Sequence, residues 1–341
     1  MLNKFQTILK KRLEIKTSFK WGIIGPGRIA KKFANAVEKI SDASIYAIAS
    51  RSSSDPEQLK HTFNAEECYT SYEKLAADTK VDAIYIATPH RFHYENIKLC
   101  LDAEKAILCE KSFTVNANQA DELFKLSQSK HTFLMEALWT RFLPIYGQIR
   151  QWLDAGKIGD VRLVTSALGF VAARNFKDRL LNIDLAGGTI LDIGVYNTAL
   201  TQWVFQETPQ KISAIGQIGE TGVDEMVSAT FSYENGAAAQ FTCTFQARPP
   251  GQFAITGTKG MIIVQSHFVR ATQATLTVGK KSRTVKKRFK INGFEYQIKA
   301  VMQSILEGAL DCPQMTQADT LANMRTLDTI RRQIGMRYPF E

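Results

Sequence analysis

Phe19-Lys20-Trp21-Gly22-Ile23-Ile24-Gly25-Pro26-Gly27-Arg28-Ile29-Ala30 is the stretch whose reading decides the fold. A short apolar run ends in Gly25 and Gly27, after which Ile29, Phe33, Ala36, Val37 and Ile40 recur at helical spacing. The pattern predicts a strand, a tight turn and a helix. Gly25 permits the turn, Gly27 lets a ligand reach the backbone with no side chain between, and Ala30 keeps helix and strand close. The helix N-terminus offers N–H groups and the positive end of its dipole to a phosphate. Many βα turns use glycine. The strand before and the helix after make this GxGxxA, with Pro26, Arg28 and Ile29 inside it, a dinucleotide-binding turn.

Outward from the turn, strand and helix alternate. The second strand, 44–50, runs into Arg51. A site for an unphosphorylated ribose places Asp or Glu there, on the 2′-hydroxyl. This chain supplies Arg51 flanked by Ser50, Ser52 and Ser53, a guanidinium with hydroxyls that suits a 2′-phosphate. The expected cofactor is NADP. A helix at 55–63, a short strand at Cys68-Tyr69, a helix at 72–78 and the near-continuous apolar strand 81–87 follow. Then come Thr88-Pro89-His90-Arg91-Phe92-His93, a helix at 94–102 and a strand at 106–109. This rhythm predicts an α/β fold with a doubly wound parallel sheet. Ligands gather at the carboxyl ends of such strands, where Gly25, Arg51, Thr88, Pro89, His93 and Lys111 fall.

Two places carry candidate chemistry. The strand 106–109 delivers Glu110-Lys111-Ser112, and a lysine leaving a central strand there projects into the crevice, placed for proton transfer. A surface lysine paired to Glu110 is the alternative on spacing alone. Downstream, the glycine pair of Gly187-Gly188-Thr189-Ile190-Leu191-Asp192-Ile193-Gly194-Val195-Tyr196 opens a helix running to about Phe205. Asp192 and Tyr196 stand four apart and share one face, an acid beside a phenol. An amphipathic helix with a tyrosine at its half-buried edge is the alternative.

Composition bounds the rest. The 341 residues, 45% of them hydrophobic, suffice for two domains. The expected division is an extension at 1–18, a cofactor domain at 19–138 and a second domain at 139–341. No apolar run approaches the roughly 20 residues of a membrane span. The first twenty residues are basic, lack the apolar stretch and cleavage site of a secretory signal, and read as a surface helix or extension. The five cysteines form no CxxC pair and have no zinc-ligand spacing, so no metal site is expected and a reduced cytoplasm fits. The formal net charge is +10, and the densest basic run is 280–288. Its charges alternate with Ser, Thr and Val and no nucleic-acid-binding motif accompanies it, so it reads as a solvated hairpin.

These residues together resemble the Gfo/Idh/MocA oxidoreductase family, in particular its branch of dimeric dihydrodiol dehydrogenases and NADP-dependent D-xylose dehydrogenases. The resemblance is carried by residues 21–30, by Leu108-Cys109-Glu110-Lys111, by Met135-Glu136-Ala137-Leu138-Trp139-Thr140-Arg141-Phe142 and by Gly187–Tyr196. Many members have histidine where this chain has Tyr196, and the named branch has tyrosine. The resemblance implies a Rossmann domain followed by an α/β domain with an open, mostly antiparallel sheet, whose exposed face makes a homodimer. Strands near 160–169, 211–218, 225–233, 237–245, 252–257 and 261–265 fit that second sheet. It implies Lys111 and Tyr196 as the catalytic pair, Trp139 and Arg141 near the nicotinamide, and reversible hydride transfer between NADP and a ring carbinol. Asp192 then orients the tyrosine or a substrate hydroxyl, and the loop 170–185, with Arg174, Asn175, Phe176 and Arg179, shapes a pocket for a sugar or a cyclic trans-diol. In one place the chain departs from the family. Ser112 stands where proline usually follows the lysine. Proline there favours a cis bond that aims the lysine, and with serine a cis bond costs roughly 2.5–4 kcal/mol. That departure keeps a second reading open, an NADP(H)-sensing regulator of the same fold with impaired turnover.

Overall fold

A computed structural model of the chain describes residues 18–51 and 55–341. The expected extension, apart from its last residue, and Ser52 and Ser53 lie outside the described residues. Two compact units emerge. The first holds the described residues up to Thr114 together with Asn118–Trp139 and Lys290–Thr320. The second holds Val115–Ala117, Thr140–Phe289 and Leu321–Glu341.

In the first unit, β1 (Phe19–Ile24), β2 (Ala43–Ala49), β3 (Glu67–Tyr69), β4 (Ala83–Ile86), β5 (Ala106–Glu110) and β6 (Leu134–Ala137) form one sheet in the order β3-β2-β1-β4-β5-β6. Every pairing is parallel, so the expected doubly wound sheet is present. β4, β5 and β6 are buried throughout, as strands covered on both faces must be. The helix Arg28–Glu38 turns Phe33 inward, where it stacks on Tyr85 at 3.9 Å between centroids and meets the edge of Trp21. The direction of strand succession reverses between β1 and β4, and Ile24, Ile86 and Cys109 stand in register there. The carboxyl ends of β1, β4 and β5 therefore open side by side.

Lys290–Thr320, expected in the second domain, groups with the first unit. The helix Phe294–Glu307 buries Phe294, Ile298, Val301, Met302 and Ile305 and lies against the helix Arg28–Glu38. Asn292 Nδ2 donates to Lys32 O, and Leu134 N–H to Leu310 O.

The second unit is built on β7 (Val161–Gly169), β8 (Lys211–Ile218), β9 (Asp224–Ser232), β10 (Ala238–Thr244), β11 (Phe253–Gly257), β12 (Gly260–Val264), β13 (Gln273–Val278) and β14 (Lys281–Lys286). Their order is β14-β13-β12-β11-β7-β10-β9-β8, and only β7 with β10 runs parallel. The open, mostly antiparallel sheet implied by the resemblance is thus observed. The helix Val195–Phe205 covers one face, against β7 and β10. The basic run becomes the edge strand β14, paired in a hairpin with β13 and with its lysines exposed, an arrangement that blocks further strand pairing.

Glu295 shows what holds Lys290–Thr320 in shape. Its buried carboxylate accepts from the N–H groups of Lys290, Ile291, Asn292 and Gly293 at 2.9, 2.8, 3.2 and 2.6 Å. Burial pushes the carboxyl pKa up, and the amides outweigh it, leaving the group below its usual value. A carboxylate so depressed contributes stability above its unfolded pKa and loses it as pH falls through the folded one. Glu295→Ala is expected to lower the unfolding free energy at pH 7 by about 1.5–3 kcal/mol, as for hydrogen bonds to a charged group. In urea titrations the gap from wild type narrows as the pH is taken below about 4. A gap of the same size at acid pH contradicts this account.

Candidate active site

The turn after β1 takes the shape its glycines allow. Gly25 has φ +93°, its N–H donates to Ala49 O at 3.2 Å, and a Cβ on it would lie 3.0 Å from Ala87 C and O and from Thr88 N. Gly27 has ordinary extended geometry and is exposed, and among the described residues the only atom within 4 Å of a Cβ there is Ala87 O at 3.9 Å. Gly25 is glycine because the protein crowds it. Gly27 fronts open space. Among the described residues no side chain caps the helix Arg28–Glu38, and no acid sits in its first turn, so the leading N–H groups suit an anion. Pro26 and Ile29 are half-buried and Arg28 is exposed. These residues fit the diphosphate of a dinucleotide.

At the end of β2, Ser50 is buried, with its N–H on Tyr69 O, while Arg51 is exposed. The Arg51 guanidinium lies over the Tyr72 ring at 4.5 Å, a flat cation presented to solvent.

The ends of β4 and β5 are tied together by His93. Its Nε2 lies 2.8 Å from Thr88 O, and its Nδ1 lies 2.9 Å from Ser112 O and 3.2 Å from Phe113 O. Burial pushes the imidazole pKa down against the pull of those carbonyls, and the net direction is downward. The sequence reading gave His93 to the cofactor. In the structure the ring is fully buried and both nitrogens face backbone carbonyls, so His93 holds the backbone of the rim. Thr88 and Pro89 are half-buried beside it, and Thr88 Oγ1 accepts from Asn96 Nδ2 at 3.1 Å. Glu110 is buried and accepts a short hydrogen bond from the Tyr85 hydroxyl, so its carboxylate turns into the unit. Lys111 follows directly and is half-buried. The Lys111–Ser112 peptide bond is cis. Ser112 is fully buried, and the Phe113 N–H donates to Glu136 Oε1 at 3.1 Å. Trp139 stacks on Phe294 at 5.0 Å, and Arg141 is half-buried in the short turn Trp139–Phe142.

In the second unit the helix bearing Tyr196 begins differently from expectation. Ile190–Gly194 forms a π turn, and the α-helix runs from Val195 to Phe205. Asp192 lies inside the wider turn and Tyr196 just beyond it, both buried. Asp192 Oδ1 accepts from Arg179 Nη1 at 2.8 Å, while Arg179 stays substantially exposed. Arg174 reaches the buried Glu225 at 2.5 Å and lies over the ring of Phe176, which is exposed. The loop 170–185 is thus pinned at two points, one of them Asp192. Sequence reasoning passed over Glu136 as a functional residue and Asp224 altogether. Asp224 is a fully buried carboxylate whose Oδ2 accepts from Thr189 Oγ1 at 2.6 Å and from Ile190 N at 2.7 Å. Burial raises its pKa against those donors. An acid at the head of an alternating apolar strand was the available signal. Among the described residues no group of three or more His, Cys, Asp or Glu side chains is placed to hold a metal ion.

Comparison with known proteins agrees with both halves. A family model described as "Oxidoreductase family, NAD-binding Rossmann fold" matches residues 19–138, and one for the "GFO/IDH/MocA C-terminal domain" matches 146–263. Trans-1,2-dihydrobenzene-1,2-diol dehydrogenase from Mus musculus is 34% identical over 331 residues, covering 94% of this chain and 98% of the relative. The Homo sapiens protein of the same name is 32% identical over 335 residues, covering 94% and 98%. A 3-ketoreductase from Actinomadura kijaniata, solved in complex with NADP and TDP-benzene, superposes with a TM-score of 0.84 at 24% identity, covering 93% and 98%. A levoglucosan dehydrogenase in complex with NADH and levoglucosan superposes with a TM-score of 0.85 at 18% identity, covering 94% and 98%. These two likenesses speak to fold.

The two glycines are expected to fail differently. Gly27→Val leaves the unfolding free energy within about 0.5 kcal/mol of wild type, as for uncrowded surface sites. It weakens dinucleotide binding, read by nucleotide fluorescence, about tenfold or more by standing where the diphosphate approaches. Gly25→Val loses about 1–3 kcal/mol of stability as well, from overpacking at a strained φ. Unchanged binding by Gly27→Val contradicts this placement of the diphosphate.

Proposed function

The chain belongs to the Gfo/Idh/MocA oxidoreductase family, with an NAD(P)-binding Rossmann domain, and from that premise we propose an NADP(H)-dependent dehydrogenase or reductase acting on a ring carbinol. The observation that carries the reading is Lys111, leaving the carboxyl end of β5 on the same rim as the open turn at Gly25–Gly27. NADP rather than NAD rests on Arg51, an exposed guanidinium at the end of β2 where a carboxylate would serve the unphosphorylated ribose. The substrate is a pyranose such as D-xylose or D-glucose, or a cyclic trans-diol. The names of the full-length relatives and the mixed aromatic and cationic loop of Phe176 and Arg179 support that class.

When bound, the nicotinamide accepts or donates a hydride at its C4. Tyr196 takes the proton of the substrate hydroxyl as the carbinol C–H is broken. Lys111 is the second proton-transfer group of the proposed pair. Asp192, anchored by Arg179, accepts a hydrogen bond from a substrate hydroxyl. Trp139 and Arg141 flank the nicotinamide end. Ser112 sustains the sensor reading, and turnover decides between the two.

The assembly we propose is a homodimer through the outer face of the eight-stranded sheet. By strand register that face carries Thr165, Met226, Ser228, Thr230, Gln240, Thr242, Met261 and Thr275, with Ile215 76% exposed. A broad central area of Thr, Ser, Ile and Met without charge suits a second copy of itself, and sedimentation of the wild type as a monomer would refute it. Five cysteines without a disulfide fit a reduced cytoplasm, and among the described residues no helix is long and apolar enough to cross a membrane.

Against a panel of sugars and cyclic diols, NADP⁺-linked turnover is followed at the NADPH absorbance. Lys111→Met and Tyr196→Phe each lower kcat by about 10²–10⁴, the usual worth of a positioned acid or base, with NADPH binding retained. Arg51→Ala weakens NADPH by about tenfold or more and leaves NADH nearly unchanged, as loss of charge-assisted bonds to one phosphate requires. Tight NADPH binding without turnover on the whole panel favours the sensor. Equal losses for the two nucleotides sink the NADP assignment.

A further inference from the structure

The helical run that carries Asp192 and Tyr196 begins without a cap of its own. No local side chain satisfies the N–H groups at its start. The partner comes from another element. Asp224, the first residue of β9, is 35 residues away from Thr189 in sequence. Its Oδ2 accepts from the Thr189 hydroxyl at 2.6 Å and from the Ile190 N–H at 2.7 Å. Its Oδ1 has no hydrogen-bond partner among the described residues and lies over Gly188, where a Cβ would stand 2.3 Å from it. Gly188 has φ +114°, so both its backbone and its missing side chain are fitted to this carboxylate.

What Asp224 grips is the start of the π turn. In Ile190–Gly194 the Val195 N–H reaches back to Ile190 O, one residue further than in an α-helix. The extra residue rotates everything before it by about 100° relative to a continuous α-helix. Asp192 stands inside that turn and Tyr196 just beyond it, so their mutual placement depends on where the turn begins. Closer packing also favours this register, because a side chain at Gly194 would meet Ile190 Cδ1 at 2.7 Å and Cys243 Sγ at 3.1 Å.

We propose that Asp224 is a positioning residue of the active site, a buried acceptor that fixes the π turn and with it the placement of Asp192 relative to Tyr196. This rests on the oxidoreductase reading given above. Asp224 acts by accepting hydrogen bonds, which Asn also does, and it takes no part in proton transfer. Thr189 and Gly188 share the role, one as donor and the other as the space the carboxylate needs.

Three variants of the full-length protein test it, with kcat expressed per NADPH-binding site so that unfolded protein is not counted. Asp224→Ala lowers kcat about tenfold or more while the Kd for NADPH stays within about twofold, since the loss lies in transition-state geometry. Asp224→Asn keeps kcat within about threefold, and its pH–rate profile overlays the wild type because the carboxyl it replaces takes no part in the proton transfer. Thr189→Val, which deletes one donor and leaves the chain otherwise isosteric, gives an intermediate loss and serves if Asp224→Ala does not fold. A second readout needs no substrate. Backbone amides of residues 190–194 exchange about tenfold faster with deuterium in Asp224→Ala and at the wild-type rate in Asp224→Asn. The proposal is overturned if Asp224→Ala, or Thr189→Val where only that variant folds, keeps wild-type kcat and exchange, or if Asp224→Asn is as impaired as Asp224→Ala. Wild-type protein without turnover on any sugar or diol refutes the oxidoreductase reading instead, and the exchange measurement then still decides the role of Asp224.

Discussion

At Gly25 the backbone adopts φ +93° within 3.0 Å of where Ala87 and Thr88 would meet any side chain, and much of the first unit follows from that contact. Only a chain that turns there can bring the end of β1 against the end of β4 and release the next helix with its N-terminus bare. The sheet then does the remaining work by register. Ile24, Ile86 and Cys109 lie abreast, so the residues that follow each strand arrive on one rim. Lys111 is on that rim because β5 is parallel to β4, while Glu110, one residue earlier, points inward to Tyr85. A one-residue shift in β5 would exchange the two. The buried His93 and Glu136 fasten the backbone just beyond the lysine, at Ser112 and Phe113.

The second unit meets a different physical demand. Its helical run with Asp192 and Tyr196 lies among buried side chains, where each N–H and carboxylate needs a partner. Buried acids supply them: Asp224 at the start of the run, and Glu225 for Arg174. Exposed ion pairs contribute little on their own. Arg179 with Asp192 and Arg174 with Glu225 differ, since the carboxylate of each is buried and the arginine is the member that reaches solvent. The loop 170–185 is therefore tied to the same carboxylate that the proposed chemistry uses. Just beyond that loop the buried Tyr338 hydroxyl donates to Gly187 O at 2.6 Å.

The sequence revealed those features that local patterning controls. β1 falls on the residues read for it, and the strands of both sheets lie within one or two residues of expectation where the pattern was clear, as in the second strand, 44–50 against Ala43–Ala49. The basic run resolved into its hairpin because alternation and charge sit in neighbouring residues. What was not legible depends on contacts between distant segments. Nothing in the periodicity of Phe294–Glu307 says that its apolar face will lie on the helix Arg28–Glu38. His93 looked like a residue of the rim because its position in the strand order is right, and only the carbonyls of Thr88, Ser112 and Phe113 turn it inward. The π turn is invisible to a 3.6-residue period, and its cap, Asp224, comes from a strand that the sequence places far away.

The central claim is that a carbinol hydrogen passes directly to the nicotinamide of NADP. It is tested most directly with a substrate deuterated at the carbinol carbon, incubated with the enzyme and NADP⁺ in ordinary water, followed by mass and NMR analysis of the reduced nucleotide. The account predicts one deuterium at C4 of the nicotinamide in every NADPH formed. Deuterium released to solvent, with unlabelled NADPH, would contradict it.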